Sequence, residues 1–193
     1  MHAASRCPAA RSGVKLTYDD FVHFPDDGKR HELIDGEHNV TPSPNIRHQA
    51  ILGNLHFAVR SWLETHPVGR VFFAPLDIVF TQFDVVEPDL LYMSHERAGQ
   101  ILTEKHVCGV PELVVEWLHR AHAGETRRSS ALYERTGVSE YWIVDPKDAS
   151  VRVYRREGVT FAAPVDLTRD AGDVLTTAIL LGLTLPLTRV FKA

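Results

Sequence analysis

Three carboxylates occupy places where apolar side chains belong. Glu116 interrupts the run Leu113-Val114-Val115-Glu116-Trp117-Leu118 and shares a strand face with Val114 and Leu118. Asp89 follows Pro88 and leads into Leu90-Leu91-Tyr92, again where a sheet is expected. Glu32 lies inside His31-Glu32-Leu33-Ile34, a third strand-like position. Burying a lone carboxylate is costly unless it is paired, hydrogen-bonded or bound to a metal. Three acids on separate strands, brought together, would hold one hard cation such as Mg²⁺ or Mn²⁺. Kept apart, each is a surface acid or a salt-bridge partner.

Other chemistries find no support. The chain contains no Walker A loop, no G-x-G-x-x-G, no G-x-S-x-G elbow and no H-E-x-x-H. His119 and His122 are spaced to share a helical face, but no third soft ligand accompanies them, so they read as solvated. Positive charge gathers just after Glu116, where Arg120, Arg127, Arg128 and Arg135 outnumber Glu125 and Glu134. Such a stretch would grip phosphate, or form an ordinary solvated helix face. His48, on the first turn of a long helix, would contact phosphate or water, or be structural. Phe72, Phe73, Trp117 and Trp142 read as core, and Asp145, before Pro146, as a turn former.

The elements that must carry these residues follow from periodicity and punctuation. Thr17 with Asp20 forms a capping pair for a short helical turn, ended by Pro25-Asp26-Asp27-Gly28. Asp35-Gly36 joins residues 31–34 and 37–40 in a hairpin with a tight primed turn. Ser43-Pro44 opens a helix whose core stripe is Ile51, Leu55, Ala58, Val59 and Trp62, stopped by Pro67 and Gly69. Strands are predicted over residues 71–80 and 85–93, the second interrupted by Pro88. A short helix over residues 95–102 precedes the Glu116 strand, residues 112–118. A helix over residues 125–135 closes at Gly137, followed by a hairpin of residues 141–144 and 151–154. The tail, residues 173–191, packs back on the domain. The expected class is α/β with α+β mixing: a mixed central sheet flanked by helices, with an N-terminal hairpin.

The composition agrees with such a fold. With 193 residues, 44% of them apolar, the chain can bury a real core, which excludes a disordered or collagen-like polymer. Two cysteines, Cys7 and Cys108, are too few for a disulfide framework, so a reducing cytoplasm is expected. Residues 1–13 lack the apolar stretch of a secretory signal and read as a disordered leader to a single domain, residues 14–193. The longest apolar stretch, residues 178–187, contains Gly182 and Pro186 and is too short to span a membrane. The net charge of −4 argues against a broadly basic nucleic-acid coat, yet residues 19–37 hold seven of the acids against only Lys29 and Arg30. A local basic groove is therefore compatible with the overall sign.

Taken together, several segments resemble the Uma-two family of restriction-endonuclease-like proteins. They are Leu16-Thr17-Tyr18-Asp19-Asp20-Phe21, Arg30-His31-Glu32-Leu33-Ile34-Asp35-Gly36-Glu37, and Thr41-Pro42-Ser43-Pro44. Further on come Val86-Glu87-Pro88-Asp89-Leu90-Leu91, Pro111-Glu112-Leu113-Val114-Val115-Glu116, and Glu140-Tyr141-Trp142-Ile143-Val144-Asp145. Leu183-Thr184-Leu185-Pro186-Leu187 closes the series. The resemblance implies a restriction-endonuclease-like, PD-(D/E)xK core and a metal-dependent DNA endonuclease using Mg²⁺ or Mn²⁺. Asp89 and Glu116 would be the metal-binding catalytic pair, with Glu32 as an additional upstream acid.

The chain departs from that pattern at the catalytic lysine. Leu118 stands two residues after Glu116, and Ser129 stands at the alternative helical position, four before Tyr133. His119-Arg120-Ala121 replaces the family's Ser-Pro-Ser-like segment. Arg128, beside Ser129, is the candidate substitute, with Arg120, Arg127, Arg128 and His48 as candidate nucleic-acid contacts. An arginine stabilises charge but is a poor proton acceptor. Two other outcomes stay open: a catalytically silent nuclease-fold domain that binds nucleic acid or a protein partner, and a structural homodimer.

Overall fold

The computed structural model describes residues 14–41, 45–118 and 123–192. The leader expected over residues 1–13, the Ser43-Pro44 helix start, and His119, Arg120 and His122 lie outside the described residues.

Helix α1 (Tyr18–Phe21) is short and closed by the expected box: the Thr17 hydroxyl accepts the Asp20 N–H, and the Asp20 carboxylate accepts the Thr17 N–H. The hairpin follows as β1 (Arg30–Ile34) and β2 (Glu37–Thr41). Both turn residues, Asp35 (φ 55°) and Gly36 (φ 73°), are left-handed, as a primed turn requires. Helix α2 (Ile46–Thr65) begins after Asn45, whose side chain accepts the His48 N–H. Ile51, Leu55 and Val59 are buried as the stripe predicts, joined by Leu52 and Leu63.

The two long strands expected next are each divided. Residues 71–80 become β3 (Gly69–Phe73) and β4 (Ile78–Thr81), because Pro75 has no N–H to continue the ladder. Pro88 likewise separates β5 (Asp84–Val86) from β6 (Leu90–Ser94). The halves enter different sheets, so each proline is a crossing between layers rather than a defect within one.

Helix α3 (His95–Ile101) leads to the short β7 (Val107–Cys108), then β8 (Leu113–Trp117) and α4 (Ala123–Thr136). The C-terminal hairpin is β9 (Glu140–Asp145) with β10 (Ser150–Glu157), turned at Asp145, whose carboxylate accepts the Lys147 and Asp148 N–H groups. Short strands β11 (Thr160–Phe161) and β12 (Val165–Thr168) extend it. The tail packs back as β13 (Val174–Thr176), β14 (Thr184–Pro186) and α5 (Leu187–Val190).

The central mixed sheet runs β11-β10-β9-β8-β6-β3, with β8 and β9 parallel and β12 also on β10. A second sheet runs β2-β1-β5-β4-β7. Alternation along β8 sorts the core. Leu113, Val115 and Trp117 pack with α2 and the tail, whereas Val114 faces the other cluster, with Ile34, Leu132, Tyr133 and Tyr141. Glu116 has the parity of Val114. It therefore projects toward α4 and the second sheet. Among the described residues, no helix is long and apolar enough to cross a membrane.

Candidate active site

Pairing of β6 with β8 aligns Leu90 with Val115 and Leu91 with Val114. One rung further, Asp89 stands opposite Glu116. Strand β1 brings the third acid: Arg30, Glu32 and Ile34 share one face of it, and Ile34 is buried in the cluster that holds Tyr133 and Tyr141. The sequence-predicted trio of Glu32, Asp89 and Glu116 is thus gathered where the two sheets meet α4.

Each carboxylate has its own set of partners. Glu116 accepts a hydrogen bond from Tyr133 Oη at Oε1 (2.5 Å) and one from Tyr141 Oη at Oε2 (2.6 Å). Glu32 Oε1 accepts the backbone N–H of Glu87 at 2.9 Å. Asp89, only 1% exposed, accepts the Trp117 N–H at Oδ2 (2.8 Å) and Arg30 Nη1 and Nη2 at Oδ1 (3.1 Å each). His48 Nε2 lies 3.2 Å from the same Oδ1, but without hydrogen-bond alignment. The His48 ring lies parallel to Trp117 with centroids 4.3 Å apart.

The environments push the three acids apart. Burial raises Glu32 to about 8, and the charge of Glu116 adds to the shift. Burial also raises Glu116, outweighing the two tyrosine hydroxyls that favour its ionised form. Burial works the same way on Asp89. There His48, Arg30 and the Trp117 N–H prevail, and the carboxylate is held below its ordinary range. Asp89 is therefore charged and Glu32 protonated at neutral pH. Divergent acid pairs of this kind suit acid–base work.

The donor chemistry fits a hard divalent cation. The site brings three carboxylates together, and the charges of Glu116 and Asp89 both raise Glu32. His48 Nε2 lies buried beside them without a hydrogen-bond partner, although Arg30 already stands against Asp89. In the arrangement described, no three acid, histidine or cysteine side chains stand in ligating geometry among the described residues. Asp89 faces Arg30, His48 and a backbone N–H, while Glu116 faces two tyrosines.

The remaining sequence-predicted residues are dispersed. Arg128 pairs with Glu37 at 2.6 Å on the surface, beside a cavity of about 470 Å³ lined also by Ile34, Asp35, Ala131 and Arg135. Arg127 is exposed on α4. His48, a candidate for phosphate or water contact or for a structural role, is a buried neighbour of Asp89, 5% exposed. Ser129 is buried on α4, one turn before Tyr133.

Sequence reasoning missed Arg30, Glu87, Tyr133 and Tyr141 as site residues. Arg30 had one legible signal, its spacing of two from Glu32 in an alternating strand. The tyrosines had none, because strand pairing and helix docking bring them to Glu116.

Comparison with known proteins accords with this architecture. The crystal structure of a "putative nuclease belonging to DUF820" from Anabaena variabilis ATCC 29413 superposes with a TM-score of 0.76 at 19% identity. The match covers 91% of this chain and 97% of that one, and at this identity it establishes the shared fold. No curated protein matches. The profile of the Uma2 family, described as "Putative restriction endonuclease", matches residues 18–188. That span includes all three site strands and both tyrosines, and the chain belongs to the Uma2 family.

Proposed function

We propose that the protein is a metal-dependent nuclease that hydrolyses phosphodiester bonds in DNA. The observation that carries this reading is the placement of Asp89 opposite Glu116, with Glu32 joining them from a separate sheet. Asp89 and Glu116 would hold Mg²⁺ or Mn²⁺. When bound, the cation supplies charge stabilisation for the phosphate and lowers the pKa of the attacking water.

The chain's own residues do the rest. Tyr133 and Tyr141 hold the Glu116 carboxylate in one orientation from α4 and β9. His48 and the Trp117 N–H keep Asp89 ionised and aimed. Glu32, protonated at neutral pH, holds a proton on its carboxyl group that it can give to the departing oxygen. Exposed Arg127 and Arg128 on α4 would offer phosphate contacts at the surface, Arg128 by leaving its pair with Glu37.

A second reading has its own support. Leu118 and Ser129 stand at both positions where the family resemblance calls for a lysine, which favours a domain that binds nucleic acid without cutting it. Nicking of supercoiled DNA in Mg²⁺ or Mn²⁺ decides between them, with Glu116→Ala as control. The nuclease reading expects cleavage by the wild type and none by the variant. DNA binding without cleavage supports the second reading, and cleavage persisting in Glu116→Ala removes the proposed site.

A further inference from the structure

The positive charge absent from residues 118 and 129 reaches the carboxylates from another strand. Arg30 lies on the same face of β1 as Glu32, with 15% of its side chain exposed. Its guanidinium donates Nη1 and Nη2 to Asp89 Oδ1 and places Nε 2.9 Å from Glu87 Oε1. Burial alone would make this arginine easier to deprotonate, but the charges of Asp89 and Glu87 prevail and hold it firmly protonated. His48 Nε2 also stands 3.2 Å from Asp89 Oδ1, while Oδ2 accepts the Trp117 N–H. A divalent cation held through Oδ1 would compete with Arg30 for that oxygen. The guanidinium fork is equally suited to carboxylate and phosphate oxygens, and it stays charged at any working pH. Arg128 pairs with Glu37 at the surface, not with the three acids.

Building on the nuclease reading, we propose that Arg30 exchanges partners during the reaction. With Asp89 and Glu116 holding a divalent cation, the Arg30 guanidinium would be free of Asp89 and would turn to a non-bridging oxygen of the bound phosphodiester as the site's charge-stabilising catalytic group. Bonds to phosphorus form and break as in simple hydrolysis. Arg30 moves no proton.

This exchange sets two effects of opposite sign. Removing Arg30 frees Asp89, so the metal binds more tightly, yet the phosphate loses its cation, so cleavage slows. The test uses the full chain, with Mn²⁺ binding followed by electron paramagnetic resonance and DNA nicking measured at saturating Mn²⁺. Arg30→Gln is expected to bind Mn²⁺ at least about tenfold more tightly and to nick about 100-fold more slowly. Arg30→Lys keeps a point charge without the fork. It is expected to show both changes in smaller measure.

A purely structural arginine would weaken both readouts. Mn²⁺ affinity unchanged or lowered in a folded Arg30→Gln, or nicking undiminished, overturns the exchange. Should Arg30→Gln not fold, Arg30→Lys decides by the same pair of signs. A wild type that binds Mn²⁺ but nicks nothing refutes the nuclease reading and removes the phosphate step. A wild type that nicks while Arg30→Gln leaves Mn²⁺ affinity unaltered refutes the exchange alone.

Discussion

Tyr133 Oη donates to Glu116 Oε1 at 2.5 Å, tying helix α4 to the one carboxylate inside strand β8. Tyr141 completes the pair from β9 at 2.6 Å. Both hydroxyls favour the ionised acid against the burial that raises it. Tyr133→Phe should therefore push Glu116 further up and move the acid limb of a pH–rate profile to higher pH. The lost hydrogen bond to a charged group should cost about 1.5–3 kcal/mol of stability. An unmoved acid limb would show that Glu116 does not act in its ionised form.

Glu32 links stability to pH. Its carboxyl is raised from an ordinary 4.5 to about 8 in the folded chain. Between those values the unfolded chain has lost the proton that the native chain keeps, so stability falls as pH rises through this window. Glu32→Gln carries no such proton. Its melting temperature relative to wild type should climb from pH 5 to pH 8, by the equivalent of a few kcal/mol, on the order set by the shift. Parallel melting curves across that range would contradict a raised Glu32.

Asp89 is the common partner of Arg30, His48 and the Trp117 N–H. Asp89→Ala leaves a largely buried guanidinium with Glu87 as its remaining ion-pair partner. A loss of about 3 kcal/mol is expected by chemical denaturation. Mn²⁺ binding measured by calorimetry should vanish as well. Retained binding in the variant would place the metal elsewhere.

Ser129 lies one helical turn before Tyr133, on the face that meets Glu116. Ser129→Lys would bring an ammonium group to the carboxylates and relieve their mutual repulsion. The expected results are a lower Glu32 titration point by NMR and nicking faster by about tenfold or more. A folded variant with neither change would show that the side chain from this turn does not reach the acids.

The hairpin turn positions both Arg30 and Glu32. A β-carbon on Gly36 would come within 2.7 Å of Lys15 Cβ and 3.1 Å of the Leu16 carbonyl oxygen, at a φ of +73°. Gly36→Ala should destabilise the chain by about 1–2 kcal/mol from the left-handed backbone alone, with more from the clash. Differential scanning calorimetry checks this directly.

Local chemistry made much of this legible before any tertiary contact. Thr17 and Asp20 announced the first cap, Asp35-Gly36 the primed turn, and the stripe Ile51, Leu55, Val59 the buried face of α2. Pro88 marked an interruption, whereas Pro75 went unread because apolar patterning on either side of it suggested one strand over residues 71–80. Strands of two or three residues, such as β7 and β11, carry too little pattern to be seen.

The three acids were identifiable because a carboxylate in an apolar strand is costly wherever that strand goes, and that cost is written in the adjacent residues. Their partners were not. Tyr133 is 17 residues from Glu116, and Arg30 is 59 from Asp89. Which hydroxyl or guanidinium reaches which oxygen depends on strand register, on the crossing at Pro88 and on how α4 docks. Burial raises both Asp89 and Glu32, but the cationic and N–H partners of Asp89 pull it below its ordinary range while Glu116 drives Glu32 further up, because desolvation and neighbouring charge act through space. Sequence by itself determined which residues were out of place; only the tertiary structure decided what each of them faces.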